Sequence, residues 1–397
     1  MKINKGYKTE MAPKKAQRVL LAKSVGTARF AYNWGLARRI DEYKYLGKSA
    51  NAIQQHKQLN SMKEDFFPWM YEVSKCAPQE ALRDLDKAYD NFYNGGGFPK
   101  FKSKHDKQSC RFSMGIQVKN KSIRLSNIGW VKLIEKGYIP TEGHVLSATI
   151  SKRAGKWFVS VAFEEEIEVQ SNPEGVSLEL DAGIKSLGVV SNNVTFKNPK
   201  ALKNNIDKLA RLQRKQARQE KGSKNRDKTK LKIQKLHYKI SCVRNDAIHK
   251  MTTAVAKTKP QRVVIEDLAV KNMMKNHKLA RSIADAAFGE IRRQLEYKGK
   301  WYGFEVVVAD RWFPSSKMCS RCGHIKVGLK LSDRIYICSE CGLVIDRDLN
   351  AAINLSRYTT ESSSGSNACG DEGSKPRRKT RERKKQEHME YEKICCK

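Results

Sequence analysis

The chain reads as a multidomain α+β protein: an α/β domain with a four-cysteine knuckle set into it, preceded by a helical region and a barrel-like basic β module. Three observations predict this. Short apolar runs, VSLELD, RVVIED and EVVVAD, alternate with helical stretches in the second half of the chain. Two Cys-x-x-Cys pairs, Cys319/Cys322 and Cys338/Cys341, stand fifteen residues apart. Between residues 98 and 165, the runs RFSMGIQV, SIRLSNIGWVKLI, SATISK and KWFVSVAFE follow one another closely enough for a compact β unit.

The overall bounds narrow the function before any motif is read. A chain of 397 residues supports two or three domains and a sizeable core. Its 78 Lys and Arg against 42 Asp and Glu give a formal charge of +36, far beyond what solubility needs, so a polyanion is the expected partner. Nucleic acid fits better than membrane, because no strongly apolar amphipathic or lipidation signal accompanies the charge. No run is long enough for a membrane span and MKINKGYKTE lacks the apolar centre of a signal peptide, so a cytoplasmic, nucleoid-associated protein is expected.

In chain order, residues 1–12 read as an extended arm and 13–97 as helical. Val19, Leu20, Ala22 and Val25, then Phe30, Ala31, Trp34, Leu36 and Ile40, recur at helix-face spacing. Gly26 sits between the two groups and predicts a turn, hence two helices and a possible helix-turn-helix. Gly95, Gly96 and Gly97 end the helical run. Residues 98–170 form the β module, where Lys100, Lys102 and Lys104 alternate beside Phe98 and Phe101, a pattern suited to backbone contact and base stacking.

The α/β domain is expected over 171–318. Within it, a basic hairpin over 200–250 begins with Ile206 and Leu209 on one helix. It bends at Gly222-Ser223 and continues with a stripe of Ile233, Leu236, Ile240, Val243 and Ala247. From Lys200 to Lys239 there are fifteen Lys or Arg against Asp207, Glu220 and Asp227, a charge density that calls for an anion alongside.

The knuckle, residues 319–342, has four thiolates at zinc-ribbon spacing. They could close a tetrahedral Zn(II) site with no open position, which would be structural. Residues 343–356 return to the α/β domain through IDRDLNAAINL, and 357–397 read as a disordered basic tail. Cys76, Cys110, Cys242, Cys369, Cys395 and Cys396 show no second ligand set and read as free thiols. Carboxylates recur at strand ends, at Asp181 and Glu266, and again after the knuckle at Asp348. Asp346 and Asp348 stand just before a helix, where an N-cap is the commoner role for one of them. Three such acids in one α/β unit are the ingredients of a two-metal site for a phosphodiester, since hard Mg(II) needs oxygen ligands.

LELDAGIKSLGVV, VVIEDL, FPSSKMCSRCG with CSECG, and DRDLNAAINL together resemble TnpB. These are insertion-sequence-encoded RNA-guided DNA endonucleases related to compact type V CRISPR effectors. KLARLQRKQARQEKGSKNR, LEYKGKWYG and GTARFAYNWGLARR extend the resemblance to about residue 356. It implies a RuvC/RNase H-like nuclease domain with an inserted zinc ribbon, a wedge domain split between 1–12 and the β module, and helical recognition residues between. It maps the catalytic acids onto Asp181, Glu266 and Asp348, with Asp348 preferred over Asp346. The implied cofactors are structural Zn(II) at Cys319, Cys322, Cys338 and Cys341, and catalytic Mg(II) at the three acids. The implied partners are a guide RNA and double-stranded target DNA, engaged by a monomer beside a short transposon-adjacent motif. Two other function classes fit part of the pattern: a guide-dependent DNA-binding repressor, and a guide-independent resolvase or transposase.

Overall fold

The computed structural model describes residues 1–169, 172, 174–311, 313–329 and 333–358. Most of the expected tail, with Cys369, Cys395 and Cys396, lies outside the described residues.

Strand β1 (Lys2–Ala12) leads into α1 (Lys15–Leu46), α2 (Ala52–Ser61), α3 (Lys63–Phe66) and α4 (Cys76–Tyr93). The turn expected at Gly26 does not form: α1 is one helix of 32 residues, so 1–48 holds a strand and a helix and no helix-turn-helix. A helix-interior glycine costs about 1 kcal/mol against alanine. Burying Leu21, Val25, Ala28, Ala31, Tyr32 and Leu36 in the same core as α4 outweighs that. Gly35 is different, because a Cβ there would stand 2.6 Å from Leu82 Cδ2 and 3.0 Å from Gln55 Oε1. Its bare backbone lets α4 cross closely.

Next come β2 (Gln108–Phe112), β3 (Gln117–Lys119), β4 (Ser122–Leu125), β5 (Gly129–Leu133), β6 (His144–Arg153) and β7 (Lys156–Glu166). With β1 they make one antiparallel sheet of order β2-β6-β7-β1-β5-β4-β3. The N-terminal arm is therefore a central strand, paired with β7 from Lys2↔Glu166 to Met11↔Trp157 and with β5 at Met11↔Leu133. Among the described residues β2 and β3 do not pair, so the module is an open sheet and not the closed barrel its strand density suggested. Its inward residues, among them Phe112, Ile123, Val131, Val159 and Phe163, join α1 and α4 in one core. Phe101, Trp130 and Tyr138 stay exposed, with Lys119 Nζ 4.7 Å from the Trp130 ring centre.

The second half contains β8 (Ser177–Asp181), β9 (Ser186–Val190), β10 (Thr195–Lys197), α5 (Ile206–Ala217), α6 (Lys224–Lys257) and β11 (Arg262–Glu266). It continues with α7 (Val270–Met273), α8 (Ala280–Ala286), α9 (Phe288–Tyr302) and β12 (Glu305–Ala309). The sheet order is β10-β9-β8-β11-β12, with β8, β11 and β12 mutually parallel. Leu178, Leu180, Val263 and Ile265 pack with Ile248, Met251 and Val255 of α6 and with Ile291 and Leu295 of α9. The knuckle then gives β13 (Ile335–Ile337) and β14 (Val344–Asp346), and α10 (Arg347–Ser356) returns to the sheet. Leu355 of α10 packs with Val264 and Ala309 on the face opposite α6 and α9.

Helices α5 and α6 form the basic hairpin, with Ser223 as N-cap of α6 accepting from Arg226 N. Its seam is Ala201, Leu209, Leu212, Ile233, Leu236 and Ile240. Val243, expected in that stripe, is 40% exposed, and Ala247 packs against the core beneath the β8–β11–β12 sheet instead. The reason is length: α6 runs 34 residues, so its first half serves the hairpin and its second half the sheet.

Candidate active site

Strands β8 and β11 are parallel and in register at Leu180↔Ile265. Asp181 and Glu266, one residue further on, therefore emerge side by side at the C-terminal ends of neighbouring strands, the end where open α/β sheets receive ligands. Helix α10 packs across β8 and brings Asp348 in its first turn. The two acids flanking Arg347 have separate tasks. Asp346 is the N-cap, its Oδ1 accepting from Asp348 N at 2.9 Å and Leu349 N at 3.1 Å. Asp348 acts on Asp181. Burial first, then the negative charges of Glu266 and Asp348, push the Asp181 carboxyl up to about 7, with Arg347 opposing. Three acids distant in sequence thus share one electrostatic neighbourhood, although their carboxylate oxygens do not all lie within 4.8 Å of one another. Glu266 Oε1 also accepts from Ser315 Oγ at 2.9 Å.

A fourth carboxylate escaped sequence reasoning. Glu179 lies two residues before Asp181 and so on the same face of β8. It is fully buried, and neither of its carboxylate oxygens has a hydrogen-bond partner. Burial first, then the charges of Asp181 and Glu266, push its carboxyl up to about 11. The available signal was a charged residue at an inward position of an otherwise apolar strand, LELD.

The four knuckle cysteines come together with all Sγ atoms within 4.8 Å of one another. Among the described residues they are the only set of three or more His, Cys, Asp or Glu side chains that does so. Cys319 and Cys341 sulfurs lie 3.5 Å apart, and those of Cys322 and Cys338 3.6 Å. A disulfide would need about 2.05 Å. A tetrahedral zinc with bonds of about 2.3 Å holds its sulfurs about 3.8 Å apart, so the set fits a closed zinc site. Backbone amides of Cys341 and then Glu340 hold the Cys338 thiol down to about 6, whereas burial and then the neighbouring sulfurs push the Cys322 and Cys341 thiols up. Cys76, Cys110 and Cys242 are free thiols, as expected.

The knuckle is clasped to the acids through two buried asparagines one turn apart on α10. Asn350 donates to Met318 O at 2.7 Å and accepts from Ser320 N at 2.9 Å. Asn354 donates to Ser315 O at 2.8 Å and to Met318 O at 2.6 Å. One helix therefore carries Asp348 and fixes the segment that holds both Ser315 and Cys319. The sequence pattern NAAIN gives the one-turn spacing but not the partners.

Three family models match the chain: a helix-turn-helix domain over 1–48, a probable transposase over 158–277, and a Cas12f1-like TNB domain over 288–355. The first covers the stretch in which the structure has β1 and α1. A Streptomyces pristinaespiralis protein named for RNA-guided DNA endonuclease activity is 36% identical over 95% of this chain and 94% of its own length. A TnpB-like protein of Acanthamoeba polyphaga mimivirus is 32% identical over 31% of this chain and 22% of its own. The chain belongs to the TnpB family. Its fold is that of a Cas12f1 chain solved in a Cas12f1-sgRNA-target DNA complex, with a TM-score of 0.57 and 15% identity over 89% of this chain and 99% of that one. Asp181 and Glu266 of this TnpB chain fall inside the transposase match, and Asp348 and the knuckle fall inside the TNB match.

Proposed function

We propose that the chain is an RNA-guided DNA endonuclease of the TnpB type, hydrolysing DNA phosphodiester bonds beside a short transposon-adjacent motif. The observation that carries this reading is the mutual electrostatic proximity of Asp181, Glu266 and Asp348, delivered by β8, β11 and α10 at the open end of a RuvC/RNase H-like sheet. Clustered carboxylates of like sign are costly without cations, and oxygen-only ligands suit Mg(II). Bound there, two Mg(II) ions would polarise the phosphate and lower the pKa of the attacking water. The chain's own part is to aim the three carboxylates, with Ser315 restraining Glu266 and Asp346 fixing the first turn of α10. Cys319, Cys322, Cys338 and Cys341 would hold a structural Zn(II).

The charge distribution supports the partners. The exposed Lys208, Arg211, Arg214 and Lys215 of α5, with Lys228, Lys232, Lys235 and Lys239 of α6, form a surface suited to a guide RNA and its heteroduplex with DNA. The protein acts as a monomer with its RNA, and residues 1–12 and 98–170 form the wedge around 13–97. The test is to purify the chain from its native locus, sequence any copurifying RNA, and assay cleavage of matching duplex DNA with Mg(II). Cleavage that needs both RNA and Mg(II), and is lost in D181N, is the expected result. Cleavage without RNA would favour a resolvase or transposase, and guided binding without cleavage a repressor.

A further inference from the structure

Glu179 is the one carboxylate of this neighbourhood that the reading above leaves idle. Its register partner Val264 belongs to the apolar cluster with Ala309, Leu355 and Tyr358 on the side of the sheet that α10 covers. At Glu179 a carboxylate is sealed in, with both oxygens unpartnered. An ionised carboxylate so placed is strongly disfavoured. A protonated one still leaves polar atoms unsatisfied.

The groups that act on Glu179 are Asp181 and Glu266, both acids. Arg347 acts on Asp181 and is not among them. The protein side therefore adds like charge where an opposite one is wanted. Asp181 lies on the same strand face, two residues towards the open end, so Glu179 sits at the inner wall of the acidic site. A glutamate has one more methylene than an aspartate and three side-chain torsions, which gives it reach along that face.

We infer that Glu179 is a fourth carboxylate of the divalent-cation site, a ligand from its inner wall beside Asp181 and Glu266. This rests on the metal-binding role proposed above for Asp181, Glu266 and Asp348. Four carboxylates and Arg347 carry a net charge of about −3 when ionised, which two divalent ions offset. The acids' oxygens do not all come within 4.8 Å of one another as the four sulfurs do. An ion held there would draw Glu179 outward from its orphaned position, and the stabilisation gained would include relief of that burial.

The test uses the full chain with its copurifying RNA and Mn(II) as probe. Binding is followed by calorimetry, and the metal-free melting midpoint is measured alongside. In E179Q the Mn(II) affinity of the site falls at least tenfold, while the metal-free midpoint stays level or rises because the buried acid is gone. D181N, run in parallel, also loses affinity. Should E179Q bind Mn(II) within twofold of the parent while D181N does not, Glu179 is no ligand and the inference is overturned. If neither substitution alters binding, the metal-site reading itself fails. Anomalous diffraction from Mn(II) in the unsubstituted protein decides the matter even if E179Q does not fold. A peak within about 2.5 Å of a Glu179 carboxylate oxygen supports the inference, and a peak touching only Asp181, Glu266 or Asp348 overturns it.

Discussion

Replacing Asp346 and Asp348 one at a time separates a carboxylate that caps a helix from one proposed to bind metal. Asp346 accepts from two backbone amides, at 2.9 and 3.1 Å, so D346A removes a complete N-cap from α10. Such a loss costs about 1 kcal/mol, which lowers the melting midpoint of a nuclease unit of this size by about 2–4 °C. D346N keeps an acceptor and should melt near the parent. D348N leaves the cap intact, and its cost in stability is limited to a first-turn charge worth about 0.3–1 kcal/mol. It should instead lower cleavage at saturating Mg(II) by roughly a hundredfold or more, since a metal contact supplies several kcal/mol in the transition state. Differential scanning fluorimetry and single-turnover cleavage of guided duplex DNA measure the two effects. If D346A abolished cleavage at an unchanged midpoint while D348N cut normally, the division of labour at the start of α10 would be refuted.

Because the Asp181 carboxyl is pushed up to about 7, a proton occupies it below that pH and must leave before a cation binds. The Mg(II) concentration for half-maximal cleavage should rise about tenfold per pH unit below 7 and level off above about 8. Without metal the sign for stability is the reverse of a paired acid. The penalty is absent below the ordinary value of 3.8, grows towards 7 and is complete above it, so D181N should stabilise the metal-free chain at pH 8 and not at pH 3. Metal analysis should find one zinc per chain, abolished by C338S, and strong chelation should expose the 319–342 segment to protease. S315A should reduce cleavage by about 10–100-fold, with partial rescue in S315T, because Glu266 loses the hydroxyl that restrains it. G35A should destabilise the α1–α4 pair by about 1–3 kcal/mol, since its Cβ would meet Leu82 at 2.6 Å.

Much of the architecture was legible because it is written in local periodicity. The strands ending at Asp181 and Glu266, the hairpin bend at Ser223 and the helix after Asp346 all follow from apolar spacing and caps. The failures share a cause, which is long-range packing. Gly26 reads locally as a turn, yet the common core of α1 and α4 carries the helix through it. Val243 fits a helical stripe, but α6 changes partners along its length and leaves that side chain in solvent. The sequence showed acids at strand ends without showing which of Asp346 and Asp348 caps the helix, because that depends on where the first turn begins. Glu179, Ser315, Asn350 and Asn354 were missed for the same reason: a glutamate in a strand or an asparagine in a helix gains its meaning only from the group across the gap.

The central position of β1 has a consequence for biogenesis. Strand β1 pairs with residues 157–166 on one side and 132–133 on the other, so its place in the sheet cannot be filled until residue 166 has been made. The helices from Lys15 to Tyr93 are synthesised in that interval. Contacts this distant in sequence delay folding, so the sheet assembles around β1 only after β5 and β7 have been synthesised. Slowing elongation between residues 134 and 156 would lengthen the time that β1 waits unpaired.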